Sequence, residues 1–300
     1  MKSPTATGAR PLTFAFLGFS EAGQALGGGL VEAGAKRVVA YDLRFGDSDG
    51  ADLMTRTRAL GVEAAASAED AMVKADVIVS TVTAGAAVAV AREASGFIQE
   101  GQVFLDLNSI SPEEKRAGAA LVENAGGTYV EGAVVSPVGP HGHKVPILLA
   151  GAAAGRLAER LKPFGMQVEV VGTEIGIASA IKMCRSIIIK GLEALTVECL
   201  STARAYGVED HVISSLDKVH PGMNWPERTA YMLGRVRAHG ARRAEEMRCA
   251  AETVRAVGLE PVMSEATAAR QQSVADLGLD SDDVDLLDAL ISDGREKPLG

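Results

Sequence analysis

Aromatic residues are scarce in this chain. Phenylalanine, tyrosine and tryptophan together make up 4% of its 300 residues, so any core must be built from aliphatic side chains and alanine. Cysteine is almost as rare. Cys184, Cys199 and Cys249 are odd in number and show no CxxC or Cys/His spacing, which argues against a disulfide framework and a metal site. Buried free thiols in a reducing compartment are the expectation. Residues 1–11 lack the apolar run of a signal peptide, and the first apolar run, residues 12–19, is far too short to span a bilayer. The cytoplasm is therefore the expected location, with no membrane partner. A basic excess is also missing: the net charge is −9. Residues 276–300 hold eight acids (Asp276, Asp280, Asp282, Asp283, Asp285, Asp288, Asp293, Glu296) against Arg295 and Lys297, so this tail carries −6 of the −9. The remainder is close to neutral, which argues against a nucleic-acid binder. The tail itself reads as a solvated helix whose early acids suit the helix dipole.

Hydrophobic residues make up 47% of the chain and charged residues 23%, the profile of a globular protein of about two domains. The first half alternates short apolar runs with helical patterns. Strands are expected at residues 12–17, 37–41, 76–82, 103–107, 128–134, 145–150 and 167–171. Helices are expected at 22–33, 51–60, 86–94 and 112–124, the last opened by Ser111 as cap and Pro112 at its first position. That alternation predicts a mostly parallel, doubly wound sheet covered on both faces. From residue 175 onward only helical patterns remain, with breaks at Gly207, at 221–226, at Gly240, at 258–261 and near Asp280. The expected fold class is α/β: a Rossmann-type domain over 12–172, then an all-α domain over 176–300, with a cleft between them.

The strongest local signal is GFSEAG, Gly18 to Gly23, placed between a strand and a helix. Gly18 permits a tight turn, Gly23 permits close helix–sheet packing, and the helix N-terminus then faces a pyrophosphate. Ser20 stands where the middle glycine of GxGxxG is usual. Asp42, 24 residues after Gly18 at the end of the second strand, is placed to bond the ribose hydroxyls of NAD. Arg44, two residues on, could instead pair with the 2′-phosphate of NADP. The expected cofactor is NAD or NADP, with NAD favoured. Its contacts are expected from Gly18, Phe19, Ser20, Glu21, Ala22, Gly23, Asp42 and Arg44, with Thr81 and Val82 at the end of a neighbouring strand.

A long helix is expected over 179–206. Ile181, Cys184, Ile188, Leu195 and Cys199 recur at three and four residues, so it should be largely buried. Yet Lys182, Ser186, Lys190 and Glu193 form one narrow polar stripe along it. One reading is a Lys–Glu ion pair at a domain interface. The other makes Lys182 a proton donor and acceptor beside the cleft, since partial burial moves a lysine toward the working pH.

The chain resembles the β-hydroxyacid dehydrogenases, the group related to 6-phosphogluconate and 3-hydroxyisobutyrate dehydrogenases. The resemblance rests on Gly18 to Gly23, DLNSISP at 106–112, EGAVVSP at 131–137 and GIASAIKMCRS at 176–186. It implies that Lys182 is the catalytic acid/base, that Ser109 lies by nicotinamide and substrate, and that Ser136 helps hold a substrate carboxylate. Two positions depart from the pattern. Ser186 stands where an asparagine is usual. Pro137 and Val138 replace two glycines, and Pro137 offers no amide to an anion. Residues 220–247 look like a divergent phosphogluconate dehydrogenase-like subgroup.

The implied activity is hydride transfer between the nicotinamide and a small anionic β-hydroxy acid or its keto form, with Ser109, Ser136 and Ser186 as substrate contacts. A homodimer or higher homo-oligomer is expected from the apolar helices. A cofactor-binding regulator without turnover, an imine reductase and a purely structural protein are the alternatives. Arg228, Arg235, His239, Arg242 and Arg243 form a basic stretch, read as a solvated or ion-paired helix face, or as the source of one arginine for a substrate anion.

Overall fold

The computed structural model describes residues 12–47, 50–279 and 285–296. The N-terminal segment read above for a signal, and Asp280, Asp282, Asp283 and Lys297 of the acidic tail, lie outside the described residues.

In the first half, β1 (Thr13–Leu17), β2 (Arg37–Tyr41), β4 (Val77–Ser80) and β5 (Val103–Asp106) follow the apolar runs, and the strands TFAFL, VIVS and VFLD are buried throughout. Continuous apolar runs are what parallel strands covered on both faces require. The short β3 (Glu63–Ala64) lies beyond β2, while β6 (Thr128–Val134), β7 (Ile147–Ala150) and β8 (Val168–Gly172) extend the other side. The order is β3-β2-β1-β4-β5-β6-β7-β8, parallel except where β7 runs against β6. Phe14 and Phe16 join one apolar cluster and Ala15 and Leu17 the other, so the alternation within β1 feeds a core on each face of the sheet.

The flanking helices are α1 (Glu21–Glu32), α2 (Gly50–Ala59), α3 (Ala68–Met72), α4 (Ala87–Ser95), α5 (Pro112–Asn124) and α6 (Ala154–Leu161). Gly34 and Gly61, at φ of 85° and 73°, close α1 and α2 in the left-handed region. Ser111 and Glu114 form a reciprocal capping box with Pro112 at the first helical position, worth about 1 kcal/mol. The elements β3, α3 and α6 have no counterpart in the sequence pattern. Two, five and eight residues are too few to establish a period.

Beyond β8 the chain is helical: α7 (Ile177–Ala205), α8 (Glu209–Val219), α9 (Trp225–Ala256), α10 (Val262–Ala275) and α11 (Leu286–Glu296). The chain divides into two compact units within α7, between Lys182 and Met183. Two expectations are corrected here. First, α7 is not buried through its apolar stripe. Ile188 is 73% and Leu195 54% exposed, while Ser186, Lys190 and Glu193 are buried. The polar side chains tolerate burial because α9 supplies their partners: Lys190 pairs with Glu246 at 2.9 Å, and Glu193 receives Arg243. Second, Cys184 and Cys199 are exposed, and only Cys249 is buried. The break expected at Gly240 is present one residue earlier: α9 kinks at His239, whose φ of −139° and ψ of 15° are non-helical, and Gly240 beside it packs closely, a Cβ there lying 2.7 Å from the Gln271 carbonyl oxygen of α10. Among the described residues no helix is long and apolar enough to cross a membrane.

Candidate active site and cofactor cradle

The strand order changes direction between β1 and β4, since β2 and β3 lie on one side of β1 and β4 opens the other. Ligands of such sheets bind at the C-terminal ends of the strands flanking that point. Gly18 follows β1 there, and Thr81 and Val82 follow β4. The Gly18 amide donates to the Tyr41 carbonyl at 2.9 Å, and the Thr81 hydroxyl donates to the Gly18 carbonyl at 2.7 Å. Gly18 has a φ of 84°, and a Cβ on it would sit 2.6 Å from Val82 and 2.7 Å from the Thr81 carbonyl oxygen. A Cβ on Gly23 would fall 2.8 Å from the Gly18 carbonyl oxygen. Both glycines are therefore demanded by the backbone's own approach.

Phe19 departs from a simple cofactor contact. Its ring is fully buried and meets Phe16 edge-on, and its amide donates to Asp42 Oδ2 at 2.7 Å. The amides left for an anion are those at the start of α1, from Ser20 through Gly23. Ser20 is the N-cap but makes no side-chain bond to them. That uncapped turn, with Ser20 and Glu21 exposed and Ala22 half-buried, fits a pyrophosphate.

Asp42 is 7% exposed, with both oxygens engaged: Oδ1 accepts the Arg44 amide and Nε, each at 3.0 Å, and Oδ2 accepts Phe19 N and the Arg44 guanidinium. Burial pushes its carboxyl up, but the Arg44 guanidinium and the two amides outweigh burial and hold it below the usual range. Asp42 and Arg44, read separately in the sequence, form one unit.

The turn after β5 carries the second set of groups. Asn108 accepts the Val82 amide on Oδ1 at 2.7 Å and donates to the Ser80 hydroxyl at 2.9 Å, tying the ends of β4 and β5 together. Asp106 anchors the turn: it accepts the Asn108 amide at 2.8 Å, the Tyr129 hydroxyl at 2.6 Å and the Lys115 ammonium at 2.9 Å. Lys115 is fully buried and also donates to the Asp106 carbonyl at 2.8 Å. Burial, then the neighbouring Asp106 carboxylate, pushes the Tyr129 phenol far above its ordinary value.

Glu131, fully buried on β6, accepts the backbone amides of Gly176 and Ser179 and so caps the first turn of α7. Lys182, one turn further along, donates from Nζ to the Ser109 hydroxyl. Sequence elements 73 residues apart are thus brought into contact within the first unit. Ser136 lies half-buried in the loop after β6. Ser186 belongs to the second unit, where its hydroxyl accepts Lys190 Nζ at 2.9 Å. In the basic stretch, Arg243 is buried on Glu193 and Arg242 reaches Glu246 at 3.7 Å, so at least these two are ion-paired. Among the described residues no group of acids, histidines and cysteines is placed to hold a metal.

Residues 13–172 match the NAD-binding domain of 6-phosphogluconate dehydrogenase, and residues 203–274 match a domain of unknown function, DUF1932. A conserved hypothetical protein of Sinorhizobium meliloti 1021 is 39% identical, with 95% of this chain and 97% of that one covered and a TM-score of 0.76. The conserved protein MTH1747, described as structurally similar to 3-hydroxyacid dehydrogenases, is 32% identical over 88% of this chain and 97% of its own, with a TM-score of 0.71. The 3-hydroxyisobutyrate dehydrogenase of Mycobacterium tuberculosis shares the fold at 20% identity and a TM-score of 0.72, with 94% of this chain and 99% of that one covered. With more than half of its length matched to that NAD-binding domain, and a 32% identical relative described as similar to 3-hydroxyacid dehydrogenases, the chain belongs to the β-hydroxyacid dehydrogenase family and is an NAD(P)-dependent oxidoreductase.

Proposed function

We propose that the protein interconverts a small anionic β-hydroxy acid and its keto form, with NAD as the favoured cofactor and Lys182 as general acid and base. The single observation that carries this reading is the Lys182–Ser109 contact beside the turn that Asn108 ties to the cofactor-side Val82. The residues fit the dinucleotide: the open first turn of α1 suits the pyrophosphate and Asp42 the ribose. When bound, the cofactor supplies the hydride chemistry.

Lys182 accepts the hydroxyl proton on oxidation and returns it on reduction. Ser109 holds the lysine head and the substrate oxygen, and Ser136 binds the carboxylate. Ser186, whose hydroxyl accepts Lys190 and keeps its own hydrogen to donate, is the third proposed substrate contact. NAD is favoured because Arg44 is held by Asp42. A 2′-phosphate would have to break that pair and meet the carboxylate. The exposed thiols of Cys184 and Cys199 fit a reducing compartment, the cytoplasm, and the exposed apolar side of α7 fits a homo-oligomer.

The test is a panel of β-hydroxy acids, keto acids and cyclic imines, with NAD and with NADP, read at the absorbance of the reduced nicotinamide. Turnover confined to hydroxy and keto acids supports the reading. Turnover confined to imines replaces it with an imine reductase, and cofactor binding without any turnover points to a regulator.

A further inference from the structure

The interior of α1 carries three glycines in a row, Gly27, Gly28 and Gly29, although glycine is among the poorest formers of a helix interior. Each admits a different neighbour. A Cβ on Gly27 would fall 2.8 Å from the Phe19 ring, and one on Gly28 would fall 3.0 Å from Leu60, just after α2. A Cβ on Gly29 would land on the imidazole of His143, 2.7 Å from its Cγ. That ring belongs to the loop between β6 and β7, the loop that bears Ser136. Its Nε2 lies 3.0 Å from the Phe164 carbonyl oxygen. A carbonyl only accepts, so Nε2 carries the hydrogen, and Nδ1 is the nitrogen turned to α1. Phe164 is itself fixed, its ring edge-on to Phe14 of β1 at 5.4 Å. His143 is thus held on two sides, and it is buried in a loop where His141 and Lys144 are exposed.

The same loop is tied to itself. The Val135 amide donates to the Pro146 carbonyl at 3.1 Å across its base, and the Val138 carbonyl accepts the amides of His141 at 3.0 Å and Gly142 at 2.7 Å. Ser136 lies in the chain between that base and that turn. A loop closed at both places moves as one body, so whatever fixes its far end also fixes Ser136. We propose that His143, seated in the notch left by Gly29, is a positioning residue for the substrate. It pins the Ser136 loop to the helix whose first turn takes the pyrophosphate, and so sets Ser136 at a fixed distance from the cofactor. Pro137 has no amide to offer an anion, so the hold on a substrate carboxylate leans more heavily on Ser136 and on where the loop places it. The third glycine of α1 is kept as glycine by this seat, as the first is by Phe19. The inference rests on the reading of Ser136 given above, whereas the seat itself can be measured with no substrate present.

The experiment uses the full chain. Trypsin acting on the folded protein reads the seat, because the exposed Lys144 is followed by Val145, which is fully buried while the loop is seated. His143→Ala and Gly29→Ala are each expected to speed cleavage after Lys144 by at least about tenfold, since cleavage of a native protein follows the population of its open form. Peptide mass spectrometry identifies the cut. Gly29→Ala is the sharper variant: alanine favours the helix, so a loosened loop there comes from the displaced ring. In the double variant the added methyl meets no imidazole, and cleavage is expected to be no faster than in His143→Ala alone. With the hydroxy acid that the panel turns over, both single variants are expected to raise KM by roughly three- to tenfold, the scale of one misplaced hydrogen bond, with kcat moved less. His143→Gln, whose amide can still donate to the Phe164 carbonyl, is expected to recover most of that loss. NAD affinity is expected to hold, because the first turn of α1 is untouched. A merely structural histidine would lower the melting temperature and leave the KM of the folded enzyme in place. Unchanged cleavage in both single variants overturns the seat, whatever the substrate. Faster cleavage with KM unmoved overturns the positioning role. Turnover of imines alone removes the reading of Ser136 instead, and the cleavage rates still decide the seat.

Discussion

The ammonium of Lys182 donates to the hydroxyl of Ser109, joining the start of α7 to the turn after β5. If that ammonium is the acid and base, Lys182→Met keeps most of the bulk and removes the proton. Turnover should fall by about 10²- to 10⁴-fold. Dinucleotide affinity should stay nearly constant, and the pH–rate profile should lose the limb that reports the lysine. A merely structural lysine would give a lower melting temperature with turnover per folded molecule retained, so both are measured on one variant. Ser109→Ala should lower turnover less and leave that limb in place.

Gly23 sits where a Cβ would fall 2.8 Å from the Gly18 carbonyl oxygen. Gly23→Val should therefore distort the loop and weaken dinucleotide binding at least tenfold, about 1.4 kcal/mol. Isothermal titration with NAD measures it. Unchanged affinity in a folded variant removes this loop as the phosphate site.

Asp42 holds both the Phe19 amide and Arg44. Asp42→Ala should weaken NAD binding and raise relative use of NADP, because the repelling carboxylate goes and Arg44 is released. The wild-type carboxyl is held below its ordinary value. The stability it lends is complete above the unfolded value of about 3.9 and is lost as pH falls through the lower folded value. Acid unfolding curves of the wild type and Asp42→Asn should converge at the acid end. A wild type that strongly prefers NADP would contradict this account of Asp42.

Lys115 and Asp106 are a buried pair beneath the Ser109 turn. Lys115→Met leaves a buried carboxylate short of a partner and should cost about 3–5 kcal/mol, read as a lower urea midpoint. Turnover should fall through misplacement of Ser109.

The Tyr129 phenol, raised by burial and by Asp106, should stay protonated while the fold persists. A raised folded value contributes stability that is intact below the unfolded value of about 10 and declines as pH rises beyond it. Tyr129→Phe should be less stable at neutral pH by about 1–3 kcal/mol, with a flatter alkaline stability profile. An alkaline melting series on both proteins decides.

Much of this was legible in the sequence, for physical reasons. Runs such as VIVS and VFLD, short, β-branched or aromatic and set between helical patterns, read as strands buried on both faces, and Ser111 with Pro112 reads as a helix start. The loop from Gly18 to Gly23 signals itself because only glycine fits at its two ends. The supports of the site were not legible. Lys115 lies among the charges of PEEKR and looks in the sequence like one more solvated residue. Only the sheet shows it turned inward to Asp106. Glu131 did leave a signal, an acid inside the apolar strand TYVEGAV, which must find partners somewhere. Those partners are amides 45 and 48 residues away, a distance no local pattern spans. The sequence of α7 points the wrong way because an apolar stripe normally faces inward. Here Glu246 and Arg243 on α9 make the polar stripe the inward one.

Asp106 and Glu131 are register partners on adjacent strands. One fixes the turn that bears Ser109, the other the helix that bears Lys182. A single rung of the sheet is thus the gauge that sets the spacing between the two. Loss of activity on heating should accordingly track melting of the sheet itself rather than precede it, and a catalyst of this build gains heat resistance by the same changes that brace its strands.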